Sequence, residues 1–173
     1  ADLGGLDVRQ KGWGAYLGIR YDVKVHTLKP YVDMSYAELS GDKDGTDREN
    51  GDFVSMEDVD STLIAEDNDF GLDIDSNYRK AQMQVGLAWD IFADDRIQDE
   101  FSAQFQYAYL ELSKSDQGEP EKIGDEIDLK LTWQYSENLS LFTGTAWLFD
   151  THTLTTTSKK SLHMFFLGTG FKF

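Results

Sequence analysis

Five charged residues could select ions or polar solutes, because each occupies one side of a segment whose other alternate positions are largely apolar. The five are Arg20, Asp33, Asp90, Asp128 and Lys130. Fixed charges on a water-lined wall attract counter-ions and repel ions of their own sign. If the segments are β-strands, these side chains share one side of a sheet. We therefore predict that they line a water-filled path; the alternative is that they only brace a polar wall.

A long acidic loop, residues 41–77, offers carboxylates for a metal ion. Between Asp42 and Asp75 it carries 13 acidic and two basic residues, a local net charge of −11 within a total of −16. Calcium binds closely spaced carboxylate oxygens, and the candidate ligands are Asp42, Asp44, Asp47, Asp67 and Asp69. Their spacing lacks the glycine at position six and the closing glutamate of the twelve-residue calcium loop. We therefore expect a solvated loop without a cofactor, with calcium as the alternative.

Groups for covalent or acid–base catalysis are few. The chain contains no cysteine, and its histidines are His26, His152 and His163. His152 lies near Asp150, but no nucleophile motif accompanies this pair. We predict that the protein is not an enzyme. The acidic balance also argues against nucleic acid as a partner, because phosphate binding needs clustered lysine and arginine.

The elements that must position these residues are β-strands, because apolar and polar residues alternate over seven segments. Mean hydropathy is −0.49, and no run approaches the roughly 20 apolar residues of a spanning helix. A β-barrel needs an apolar residue only at every second position. The apolar sides predicted to face outward include Leu17, Ile19, Val85, Leu87, Leu129 and Leu131. The sixth segment is irregular, because Phe142 and Leu148 fall on its polar side.

The connections between these strands alternate between short and long. Short ones fall near residues 22–27, 93–99 and 136–138, and longer ones near 40–77, 114–125 and 150–160. Outer-membrane barrels have short periplasmic turns on one rim and longer extracellular loops on the other. Together with aromatic residues near the strand ends, this pattern predicts an all-β fold: an antiparallel transmembrane β-barrel formed by residues 1–173 as one domain. The acidic loop would then be extracellular.

Several stretches resemble the C-terminal part of the alginate-export family of outer-membrane barrels. They are GWGAYLGIRYDV, LKPYVDMSYAELSGD, a long loop closing in FGLDIDSN, and IGDEIDLKLTWQYSENLSLFTGTAWLFD. The chain also ends in an alternating strand through Phe165, Leu167, Phe171 and Phe173, which is similar to the signal read by the outer-membrane assembly machinery. The resemblance implies a porin-like channel of roughly eighteen strands in the outer membrane of a Gram-negative bacterium. The founding members of that family pass an anionic polysaccharide through a lumen rich in arginine and lysine.

This chain departs from that family pattern, because its alternate polar positions carry more acids than bases. We therefore expect passive passage or export of another polar solute or polysaccharide. A structural barrel that sheathes or anchors a partner protein is the alternative, and a barrel enzyme is a third. Seven strands are an odd number, whereas bacterial barrels have even numbers. The expected partners are therefore outer-membrane lipid and further strands, supplied by residues outside this sequence or by another chain.

Overall fold

A computed structural model describes residues 9–23, 25, 27–42, 49–53, 61–67, 71–90, 99–114, 122–151 and 161–172. All regular structure in these residues is β-strand. None of the described residues forms a helix long and apolar enough to cross a membrane.

Nine strands occur in the described residues, and seven of them form one antiparallel sheet. In chain order they are β1 (Arg9–Gln10), β2 (Gly14–Asp22), β3 (Leu28–Leu39), β4 (Glu49–Asn50), β5 (Tyr78–Trp89), β6 (Glu100–Leu112), β7 (Lys122–Ser136), β8 (Leu139–Phe149) and β9 (Leu162–Phe171). The sheet has the order β2-β3-β5-β6-β7-β8-β9, and each strand is antiparallel to the next. The short strands β1 and β4 form a separate parallel pair. The prediction of seven antiparallel strands is confirmed.

The strand register places residues of like polarity opposite each other. One row runs Val32, Val85, Phe105, Leu129 across β3, β5, β6 and β7. We call this side the apolar face. Within the described residues no second layer covers it, and Leu17 on β2 and Leu167 on β9 are 74% and 76% exposed. The sheet therefore presents a continuous apolar surface, as its alternating sequence predicts.

The opposite side, which we call the polar face, is also organised in rows across the strands. One row runs Arg20, Asp33, Gln84, Gln106, Asp128 from β2 to β7. A neighbouring row contains Tyr31, Gly86, Gln104 and Lys130. Neighbours in such rows have Cβ atoms about 5 Å apart, close enough for long polar side chains to interact.

Aromatic rings lie across glycines on the polar face. A Cβ atom at Gly86 would lie 2.2 Å from Cε1 of Tyr31, its partner on β3. At Gly144 a Cβ would lie 2.4 Å from Cζ of Phe166, and at Gly168 it would lie 2.5 Å from Cε2 of Phe142. The missing side chain in each case leaves room for a ring from the adjacent strand.

The sheet is open, because β2 and β9 each pair with only one neighbour among the described residues. With seven antiparallel strands, β2 and β9 run in the same direction. The two edges therefore carry backbone N–H and C=O groups without partners in the sheet.

The ring of Tyr31 should make Gly86 intolerant of even a methyl group. We expect Gly86→Ala to lower the free energy of unfolding by about 1–3 kcal/mol through overpacking, measured by urea titration. In a Tyr31→Ala background the same change should be neutral or stabilising, because alanine costs less backbone entropy than glycine. An equal loss in both backgrounds would show that the ring does not cause it.

Candidate functional site

The acidic loop does not lie wholly in solvent. Residues 61–67, which we call the docked segment, form a turn that packs against the polar face of the sheet. Within it Thr62, Ala65 and Glu66 are 1%, 0% and 3% exposed. The expectation of a solvated loop is therefore wrong for this segment. The segment leaves solvent because it contains a run of apolar residues, Leu63 to Ala65, which packs on an apolar patch of the sheet.

That patch consists of apolar residues on the polar face of the sheet. Ile64 packs with Ala146 and Leu148 of β8, and Ala65 packs with Tyr78, Ala108, Leu110 and Ile123. Burial of these side chains stabilises the docked segment by the hydrophobic effect. Leu148, irregular in the sequence pattern, is thus explained by the segment that covers it.

Two carboxylates of β7 hold the backbone of the docked segment. Glu126 accepts the peptide N–H of Ile64 at 2.6 Å and that of Ala65 at 2.9 Å. Asp128 accepts the N–H of Leu63 at 3.3 Å and the side-chain amide of Gln106 at 3.1 Å. Buried peptide N–H groups need hydrogen-bond acceptors, and these two side chains supply them.

A buried ion pair anchors the other end of the docked segment. Lys80 Nζ lies 2.5 Å from the Glu66 carboxylate, and the two side chains are only 4% and 2% exposed. Glu66 also accepts hydrogen bonds from the Tyr78 hydroxyl at 2.5 Å and from Ser61 and Thr62. Burying charge is costly unless the charge is paired and hydrogen-bonded, and here both conditions are met.

Burial acts to raise the pKa of Glu66, but the Lys80 ammonium group and the hydrogen bonds from Lys80, Tyr78 and Ser61 outweigh burial. The pKa of Glu66 therefore lies below its ordinary value of 4.5. Glu66 remains ionised in the docked state near neutral pH, which keeps the ion pair intact.

The five predicted charged residues fall at different places. Arg20, Asp33 and Asp128 share one row of the polar face, and Lys130 lies in the next row. Asp90 follows the end of β5, with Oδ1 3.6 Å from Lys29 Nζ. Arg20 bonds to Asp22 rather than across the sheet, and its guanidinium carbon lies 3.9 Å from the ring centroid of Tyr31.

Of the five calcium candidates, Asp42 and Asp67 are described, whereas Asp44, Asp47 and Asp69 lie outside the described residues. The backbone N–H of Asp42 donates to Asp52 at 2.8 Å. In the described part of the chain, no three histidine or acidic side chains are grouped so as to hold a metal ion. His26 and His152 are also outside it, while His163 stacks on Trp147 on the apolar face.

Two clefts adjoin the docked segment over the polar face. The larger, about 630 Å³, lies over β2, β3 and β5 and is lined by Tyr16, Asp33, Leu39 and Phe53 among others. The smaller, about 330 Å³, lies over β5, β6 and β7 and is lined by Gln84, Gln104, Asp128 and Lys130 among others. Ser61 and Gln84 line both clefts, so the two spaces adjoin.

Sequence reasoning missed Lys80, Glu66 and Glu126 as a set. The available signals were weak: an apolar Leu-Ile-Ala run inside an acidic loop, and apolar residues at positions of β6 and β8 that belong to the polar face. The third signal was Lys80, which lies on the polar side of β5 and follows the loop closely in the sequence.

Comparisons of the chain with protein-family models, with curated proteins and with solved structures find no match. The resemblance to the alginate-export family therefore rests on the sequence stretches quoted above.

Lys80→Met should release the docked segment while leaving the sheet folded. The change leaves Glu66 buried without a counter-charge, a loss of roughly 3 kcal/mol in comparable sites. We expect faster hydrogen exchange at the amides of Leu63, Ile64 and Ala65, with unchanged exchange in β5 to β8. The matched control is Lys29→Met, which removes an ion pair with half-exposed partners and should cost less than about 1 kcal/mol. Unchanged exchange in Lys80→Met would contradict the anchoring role.

Docking should also weaken in acid. Because the pKa of Glu66 in the docked state is below 4.5, its contribution is complete above that pH and is lost as the pH falls through the lowered pKa. NMR shifts of the Ile64 and Ala65 amides should report this transition. Glu66→Gln should abolish this transition, because glutamine does not titrate. If the transition persists in Glu66→Gln, other groups cause it.

Proposed function

We propose that this chain forms part of a transmembrane β-barrel in a bacterial outer membrane and serves as a channel for a polar solute. One observation carries the proposal: in the part of the chain that the structure describes, seven neighbouring strands present an apolar face that no second layer covers, while their other face is polar and carries a docked loop segment. An exposed apolar surface of this extent is unfavourable in water. In a membrane barrel, lipid would contact the apolar face and water would contact the polar face.

The limits of the apolar face support a membrane location. On β6, Phe101 and Tyr109 bound this face, eight residues apart, which is about 27 Å along a strand. Trp89 and Trp133 flank Phe101 in one row. Beyond Tyr109 this face ends in charged residues. The guanidinium group of Arg79 lies 3.2 Å from the carboxylate of Glu38 and 3.2 Å from that of Glu111. Aromatic girdles at both edges of an apolar band about 25 Å tall are typical of outer-membrane barrels.

The open edges of the sheet support the need for more barrel. In lipid, an unpaired backbone group costs several kcal/mol, and β2 and β9 both have such an edge among the described residues. Since β2 and β9 run in the same direction, an odd number of further strands would close an all-antiparallel barrel. Another part of the same protein or another chain would supply them.

The docked segment gives this barrel a narrowed interior. It covers the β5 to β8 part of the polar face and leaves the two clefts beside it. Open clefts next to the segment favour passage of a solute over a barrel that only sheathes a partner protein. Charges on the polar face do not form a basic track, because Lys80 is neutralised by Glu66 and Lys29 by Glu100. A polyanion such as alginate is therefore disfavoured as the solute.

Tryptophan quenching tests the membrane location. In a background with all four native tryptophans replaced by phenylalanine, we compare Phe105→Trp on the apolar face with Gln104→Trp on the polar face. After folding into vesicles, brominated lipid should quench the tryptophan at 105, and aqueous iodide should quench the one at 104. Because positions 104 and 105 are adjacent on β6, both tryptophans lie at nearly the same depth in the bilayer, and the comparison reports only the face on which each one lies. The reverse pattern would exclude the proposed orientation.

Planar-bilayer recordings test the channel itself. The protein should conduct ions, and Lys80→Met should conduct better because the docked segment leaves the lumen, whereas Lys29→Met should resemble the original protein. Membrane insertion without conductance in either protein would favour a structural barrel.

A further inference from the structure

We infer that the smaller cleft is a binding site for a neutral polyhydroxylated solute, a sugar of one or two rings. The inference deepens the proposed channel function and rests on it, because it requires the polar face to meet water and solute. The cleft volume of about 330 Å³ lies at the lower end of the range for small-molecule sites.

The cleft offers hydrogen-bond donors and acceptors close together. Gln84 and Gln104 each carry a carboxamide, which both donates and accepts. The Tyr31 hydroxyl fixes these two side chains from outside the cleft, accepting from Gln84 at 2.6 Å and donating to Gln104 at 3.4 Å. A fixed pair of carboxamides suits vicinal hydroxyl groups, because each hydroxyl also donates and accepts.

Asp128 lines the cleft but is already engaged by the protein. Its side chain is 4% exposed, Oδ2 accepts hydrogen bonds from Leu63 and Gln106, and the carboxyl group lies against that of Glu126. Because the Oδ1 atom is buried, a solute cannot reach it. The groups available to a solute are therefore the carboxamides of Gln84 and Gln104 and the ammonium group of Lys130.

Charge in the cleft separates neutral from anionic sugars. Lys130 forms no ion pair within the described part of the chain, so its ammonium group can donate to a solute. Asp67 lines the same cleft, and the adjacent buried carboxyls of Glu126 and Asp128 carry one negative charge between them when they share a proton. The groups around the cleft therefore hold an excess of one negative charge. An acidic sugar would meet like charge, which disfavours it, whereas a neutral sugar uses all of these groups.

The larger cleft is a weaker candidate for this solute. Leu39, Phe53 and Ile74 line it together with Tyr16 and Ala37, so much of its wall cannot form hydrogen bonds. Its buried lysine, Lys80, is already bound to Glu66 and Ser61. The smaller cleft therefore provides the better match to a polyhydroxylated molecule.

The test is a titration of the protein folded in detergent micelles, followed by saturation-transfer NMR. The probes are glucose, glucuronate of the same ring size, and tri(ethylene glycol), which accepts but scarcely donates hydrogen bonds. We expect glucose to bind, with glucuronate weaker by about tenfold or more because of like charge and tri(ethylene glycol) weaker still. Equal binding of glucuronate or of tri(ethylene glycol) would overturn the inference.

Two variants locate the site. Lys130→Met and Gln104→Leu should each weaken glucose binding by about tenfold, the effect of losing one hydrogen bond to a polar solute. The control Lys29→Met removes a positive charge from the same face outside the cleft and should bind glucose as before. Unchanged binding in both cleft variants, with intact strand amide shifts, would overturn the assignment.

The binding experiment in micelles and the conductance experiment in bilayers distinguish failure of the sugar site from failure of the channel function. Sugar binding without conductance would remove the channel function and leave the site, whereas conductance without sugar binding would remove the site alone.

Discussion

The two-residue period of the strands is the constraint on which the rest of this structure depends. In a paired sheet, residues opposite each other point to the same side, so one strand's parity fixes that of its neighbours. Val32, Val85, Phe105 and Leu129 come together for this reason. The same rule gathers Asp33, Gln84, Gln106 and Asp128 on the other side. A slip of one residue in any strand would mix the two faces.

The docked segment is a local exception that the sheet accommodates. A turn placed on a polar wall must satisfy its own peptide groups and bury little unpaired charge. Glu126 and Asp128 meet the first requirement, and the pairing of Glu66 with Lys80 meets the second for the buried charge of the segment itself. The apolar contacts of Ile64 and Ala65 then add the favourable burial. Polar and apolar contacts are therefore both needed, because the polar contacts mainly compensate for lost hydration.

The strands could be predicted from the sequence because their signal is local and repeated. Seven segments and the side to which Leu17, Leu87 or Leu167 points follow from period two, and the antiparallel order follows from the connections between consecutive segments. The docked segment could not be predicted, because its partners are remote: Ile64 lies 62 residues from Glu126. An acidic loop usually remains in solvent, and Glu66 looks like the other acids around it. Only the sheet register, which brings Lys80 near Glu126 through β6, shows that a binding surface for the loop exists.

Glu126 contacts the docked segment through main-chain N–H groups rather than through side chains. Every amino acid except proline offers such a group, so this contact is indifferent to which side chains stand at positions 64 and 65. The sheet therefore binds the backbone at positions 64 and 65, and residue types are restricted by the small apolar patch and by the ion pair of Glu66 with Lys80. Related chains could therefore change the loop sequence extensively, and with it the lining of the adjoining clefts, while keeping the loop in the same place.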